Sequence, residues 1–264
     1  MAMDAFWEYE DPGKSEAAFR TALASAAGDE ALELLTQVAR ARGLQDDFEG
    51  AHRLLDQVES ELATAGPRPH LRYLLERGRA FNSSGEGEKA RQLFERAWDE
   101  AQPAGEEGLA VDAAHMVAIT LAGTPEAEVW TRRGLDLAQG SKDPKAISLV
   151  PALLNNHGWD LHDMGRFEDA LSVFEQAHGA WRERGKPGQI HVARWSVAHC
   201  LRSLGRHAEA LAMLRELEAE GEAGHAPDPF VFDELAENLT ALGDTAAAGV
   251  AQERAADLRK EGRP

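Results

Sequence analysis

Apolar residues recur three and four positions apart through most of this 264-residue chain, and Gly or Pro interrupts the runs at regular places. That spacing puts the apolar residues on one face of a helix. Alternating Val, Ile and Tyr are nearly absent, and the helix formers Ala, Leu, Glu and Arg dominate. Longer breaks fall at Gly66 and Pro67 and at residues 103–105, 140–144, 185–188 and 224–229. Single glycines at Gly85, Gly165, Gly205 and Gly243 mark shorter ones. The pattern predicts helix, tight turn, second helix, repeated.

The copies share a signature. Its clearest form is Gly165, Phe167, Ala170, Phe174, Ala177. Others are Gly85, Ala90, Phe94, Ala97 and Gly205, Ala210, Leu214, Leu217, with a weaker one at Gly243, Ala248, Ala255. With the first alanine as marker, the copies fall at Ala51, Ala90, Ala127, Ala170, Ala210 and Ala248, spaced by 39, 37, 43, 40 and 38 residues. The alanine lets two helices approach closely, and the residue four later (Leu55, Phe94, Phe174, Leu214) fills the space beside it. The glycine five earlier ends the first helix in a left-handed conformation. Twelve before the marker a small residue (Ala39, Gly78, Gly158, Ala198, Ala236) admits the partner helix, and Phe81, Leu161, Leu201 and Leu239 continue that stripe.

The run Leu154, Gly158, Leu161, Gly165, Phe167, Ala170, Phe174, Ala177 resembles the tetratricopeptide repeat, and the resemblance covers roughly residues 30 to 260. The period exceeds the usual length of about 34 and is similar to that of kinesin light chains and bacterial signalling regulators. The resemblance implies an all-α, right-handed α-solenoid of about six units: 31–66, 67–104, 105–140, 145–186, 187–224 and 228–260. The third is irregular, with Pro125 opening its second helix, Thr131 in place of an aromatic, and a register ambiguous by one residue. Residues 1–29 form an N-terminal arm and capping helix, the helix expected over 15–27. Phe6, Trp7 and Tyr9 either cover the first repeat or offer a contact surface, for instance to a second copy.

In such a stack the first helix of each pair lines the concave side. Residues 15, 11 and 8 before the marker are read as that wall. They include Arg40, Arg79, Asp112, Asn155, Trp159, His162, Trp195, His199, Arg202, Asp233 and Glu237. The wall runs from basic, through aromatic and histidine-rich, to acidic. His115 sits either in a packing slot or, with a one-residue shift, on the wall beside Asp112. Trp159 and Trp195 either anchor a ligand or pack on each other.

Charge narrows the partners. The chain holds 28 Lys and Arg against 46 Asp and Glu, a net −18, which repels nucleic acid and anionic membranes. The single cysteine, Cys200, excludes an internal disulfide or thiolate metal cage. No signal peptide or membrane span is read, so a cytoplasmic location is expected. Gly85, Gly87 and Ala90 imitate a dinucleotide motif but follow a helix where that motif needs a strand. No cofactor or metal is called for. The expected function is a scaffold that binds a protein or peptide segment in the groove, acidic ligand end by Arg40 and Arg79 and basic end by Asp233 and Glu237. A small-molecule sensor or enzyme using the same pocket, with His162 and His199 as polar groups, is the alternative. An oligomerising scaffold is a further one.

Overall fold

A computed structural model describes residues 3–224 and 227–261. Met1 and Ala2 of the N-terminal arm, and His225 and Ala226 of the 224–229 connection, lie outside the described residues. The helices are α1 (Pro12–Leu23), α2 (Asp29–Gly43), α3 (Phe48–Glu61), α4 (Pro67–Ser83), α5 (Gly87–Ala101), α6 (Glu107–Thr120), α7 (Pro125–Gly140), α8 (Pro144–Asp163), α9 (Phe167–Arg184), α10 (Pro187–Ser203), α11 (His207–Glu222), α12 (Pro229–Ala241) and α13 (Thr245–Lys260). Strands are absent among the described residues.

Local chemistry sets the starts. Proline opens α1, α4, α7, α10 and α12, where its missing N–H has no partner to lose. Asp47, Thr124, Asp228 and Asp244 cap α3, α7, α12 and α13 by accepting a bond from a first-turn N–H. The same devices correct the first helix. It starts at Pro12, because Asp11 accepts from Lys14 N at 3.1 Å, and it ends at Leu23.

The turns within pairs close as the glycines require. Gly165 has φ +74°, and Arg166 N bonds Leu161 O at 2.9 Å across it. The equivalent bond recurs at Glu86, Arg206 and Asp244. In the first pair Asp46 takes the left-handed position at φ 60°, a role that aspartate tolerates better than most residues.

The chain divides into two compact units, one ending at Leu149 and the other beginning at Val150. The boundary lies inside α8, two residues before Pro151, whose ring removes a helix N–H. In the first unit successive helices pack in order from α1 to α7, and the first helices of neighbouring pairs also touch, α2 with α4 and α4 with α6. In the second unit α9 to α13 pack in order and α10 touches α12. Each unit is thus a stack of helix pairs, the arrangement of an α-solenoid.

The marker alanines Ala51, Ala90, Ala127, Ala170, Ala210 and Ala248 are buried, as are Leu55, Phe94, Phe174 and Leu214. At Gly78 a Cβ would stand 2.4 Å from the Phe94 ring, and at Gly158 it would stand 2.5 Å from Phe174. Only glycine admits these rings at those sites. The N-terminal arm covers its neighbours: Met3, Phe6 and Trp7 pack with Phe19, Leu34 and Val38. Only Tyr9 of its aromatics is left 60% exposed.

Candidate functional site

The first helices present one face that belongs to neither core. Fifteen residues before the marker, Thr36 and Leu75 are fully buried. The face carries buried polar groups one residue later, at Gln37, Glu76 and Glu234, and the part-exposed Trp195 fifteen before its marker. It continues through Arg40, Arg79, Trp159 and His199 eleven before the marker, and His162 and Arg202 eight before it.

In the first unit this face is a charge network. Arg79 donates to Glu76 Oε1 at 2.9 Å and to Asp112 Oδ1 at 2.6 Å. Gln37 donates to the same Glu76 oxygen at 3.3 Å, and Arg40 approaches it at 3.6 Å. Burial pushes the Asp112 carboxyl up, but Arg79 and Arg40 outweigh it and hold it at about 2. Arg40 also lies over the rings of Trp7 (5.2 Å) and Tyr9 (5.9 Å), which stack on each other, and Trp7 Nε1 donates to Gln37 at 3.3 Å. A cavity of about 150 Å³ opens between Arg40, Arg79, Asn82, Ser83 and Met116. Arg40 and Arg79 are therefore matched by Glu76 and Asp112, and the face is not the surplus of positive charge that the sequence suggested.

His115 joins this cluster. The left-handed glycine of the third pair, Gly123, lies four residues before Ala127, where the other turns have it five before. Asp112 on α6, like Glu76 on α4, bonds Arg79, and His115 lies one turn after Asp112. Burial first, then Arg79, lowers the His115 pKa against the pull of Asp112.

The second unit fills the same face with rings. Trp159 on α8 lies 5.9 Å from Trp195 on α10 and 5.2 Å from His199. His199 lies 5.3 Å from Trp195 and 5.0 Å from His162. Trp195 reaches α12, with Phe230 at 6.3 Å between ring centres and its Nε1 donating to Phe230 O at 3.1 Å. The two tryptophans therefore pack on each other and also stay part-exposed. Beneath them Glu234, buried to 5% exposure, accepts from His199 Nδ1 at 2.7 Å and from Arg202 Nε and Nη2 at 2.7 and 3.1 Å. Burial raises its pKa, but these donors outweigh burial and leave it lowered. Burial, then the neighbouring His199, lowers that of His162.

The remaining candidates divide. Asn155, one turn before Trp159, keeps Oδ1 buried without a hydrogen-bond partner. Glu237 is exposed. Asp233 pairs with Arg259 of α13, the second helix of its own pair. Ser203, His162 and Asp163 imitate a hydrolytic triad. The Ser203 hydroxyl, however, donates to His199 O at 3.2 Å, and Asp163 stands 3.8 Å from His162 Nδ1. The serine thus accepts from His162 Nε2 at 2.8 Å without being activated by it. Groups of three or more His, Cys, Asp or Glu placed to hold a metal are absent among the described residues. Burial raises the Cys200 thiol to about 11, which makes it a poor nucleophile. Among the described residues, no helix is long and apolar enough to cross a membrane. Sequence reasoning missed Glu76 and Glu234.

Residues 149–219 match the tetratricopeptide repeat. They are tetratricopeptide repeats. The fold of such proteins extends over nearly the whole chain. It is similar to a signal-transduction ATPase of Pyrococcus horikoshii with a tetratricopeptide repeat sensor, at TM-score 0.76 and 11% identity over 95% of this chain. It is also similar to RapI in its apo form, at 0.74 and 13% over 97%, and to NprR in complex with its cognate peptide NprX, at 0.57 and 13% over 94%. The chain spans 40% of the ATPase and 74% of each of the other two. No curated protein sequence matches it.

Proposed function

We propose that this tetratricopeptide-repeat protein is a binding scaffold that holds a peptide or protein segment on the aromatic face of α8, α10 and α12. The observation that carries this reading is the run Trp159, His199, Trp195, Phe230: part-exposed rings in contact across three first helices. The positions equivalent to Trp159 and His199 in the other unit carry Arg40 and Arg79, so helix packing does not require rings there. Rings of this size offer area at little entropic cost, as binding hot spots do. NprR, similar in fold, is a peptide-binding protein.

The test is selection of random 12-residue peptides on the immobilised full chain, repeated with Trp159→Ala and Trp195→Ala. The reading expects peptides whose binding each substitution weakens at least tenfold, with helical circular dichroism unchanged. Peptides indifferent to both tryptophans, or none retained, would overturn it.

A further inference from the structure

Beside Trp195 the second unit has a hollow of about 240 Å³ lined by Val192, Trp195, Asp228 and Phe230. Val192 and Phe230 are about half exposed. Three walls are apolar and the fourth is a carboxylate. Asp228 accepts from Phe230 N at 2.9 Å and meets His191 Nε2 at 3.0 Å, and no Lys or Arg ion-pairs with it among the described residues.

The charges around the hollow point the same way. Two arginines of this unit reach the ring-bearing face, and both are engaged: Glu234 holds Arg202 through two nitrogens, and Asp233 holds Arg259, which lies over Phe230, through two. Glu237 on the same face is exposed, and the Asp163 side chain is 62% exposed with only His162 near it. An acidic ligand would find no free cation there. Guanidinium groups lie over other aromatic rings of the protein: Arg40 over Trp7, Arg133 over Trp130 and, at the rim of the hollow itself, Arg259 over Phe230. Among the described residues, the Trp159 and Trp195 rings have no such cation.

We infer that this hollow takes a lysine or arginine side chain of the bound peptide, its methylene stem along Val192, Trp195 and Phe230 and its charged head at Asp228. Long cationic side chains bury their stems on apolar surface while keeping the charge at the polar edge, and a cation gains further from the tryptophan face. The net charge of −18 favours the approach of such a ligand. The inference rests on reading the aromatic face as a peptide site.

The same peptide selection tests it. Peptides that depend on Trp195 should be enriched in Lys or Arg. Changing that residue to Gln in a synthetic copy should weaken binding about tenfold, as the loss of a cation–aromatic and ionic contact does. Asp228→Asn should weaken the basic peptide to a similar degree and leave the Gln copy unaffected. Asparagine caps a helix as well as aspartate, so α12 should persist. Trp195-dependent peptides without a required basic residue would overturn the inference and leave the peptide reading standing. If no retained peptide depends on Trp159 or Trp195, both fall.

Discussion

The two units share a framework and differ in what they place on one face of it. Eleven residues before the marker alanine stand Arg40 and Arg79 in one unit, Trp159 and His199 in the other. In the first unit the arginines close on Glu76 and Asp112, so its charges satisfy one another. In the second, the ion pair of Arg202 and Glu234 lies under a layer of part-exposed rings. A satisfied network gains little from a ligand, whereas a part-exposed aromatic surface gains by being covered. The difference teaches that helix packing does not dictate this face, so its contents report on function.

The largest expected effect tests the shared half of the comparison. Phe94 and Phe174 are fully buried, and each fills the space that Gly78 or Gly158 leaves. Phe94→Ala and Phe174→Ala should each cost about 3–5 kcal/mol in urea denaturation. If one were tolerated, the units would not share a framework. Next comes the charge network. Asp112 titrates at about 2 against an ordinary 3.8, despite burial, because Arg79 and Arg40 stabilise its charge. A lowered carboxylate pKa stabilises the fold above the unfolded value. That stabilisation is lost as pH falls from 3.8 toward about 2. Asp112→Asn should therefore cost roughly 2 kcal/mol at neutral pH and flatten that acid limb. An unchanged acid limb would mean that Asp112 is not held by the arginines.

The framework was legible because backbone approach demands small residues: nothing but glycine fits against Phe94 at position 78, and the marker alanines obey the same rule. The face was legible only to within one residue. On a helix a one-residue error turns the stripe by about 100°, enough to choose Leu75 and miss Glu76. A signal was present, since the position fourteen before the marker reads Gln37, Glu76, Ser196 and Glu234, polar in each of these copies. The third pair resisted because its left-handed glycine stands four residues before Ala127 where the other turns have that position five before, so the shared signature does not fix the register of Asp112 and His115. The contact of Trp195 with Phe230 was not legible, because it crosses from α10 to α12 and no spacing rule joins those helices.

A smaller effect sharpens the functional half. Arg40→Gln removes a part-exposed cation from Glu76 and should cost about 1 kcal/mol or less. It should leave the affinity of any Trp195-dependent peptide unchanged within about threefold, or roughly 0.7 kcal/mol. A larger loss, read by isothermal titration, would show that the charged face also takes part in binding.

The smallest expected effect lies in the histidines, which both units bury. His115 and His162 have pKa values lowered from 6.5, each by burial first. Arg79 adds to this in one case, and His199 in the other. The unfolded chain therefore binds protons that the folded chain refuses, so stability must rise with pH across the interval below 6.5. Stability measured by urea at pH 7.0 and at mildly acidic pH should fall on acidification, and His115→Gln and His162→Gln should each reduce that fall. The readouts differ between the units. His162 and His199 lie within 5.5 Å of the Trp159 ring, so protonation in the second unit should also quench tryptophan emission. His162→Gln should shift that titration and His115→Gln should not. A shift with His115→Gln as well would mean that the charged cluster and the aromatic face titrate together, and the contrast between the two units would fail.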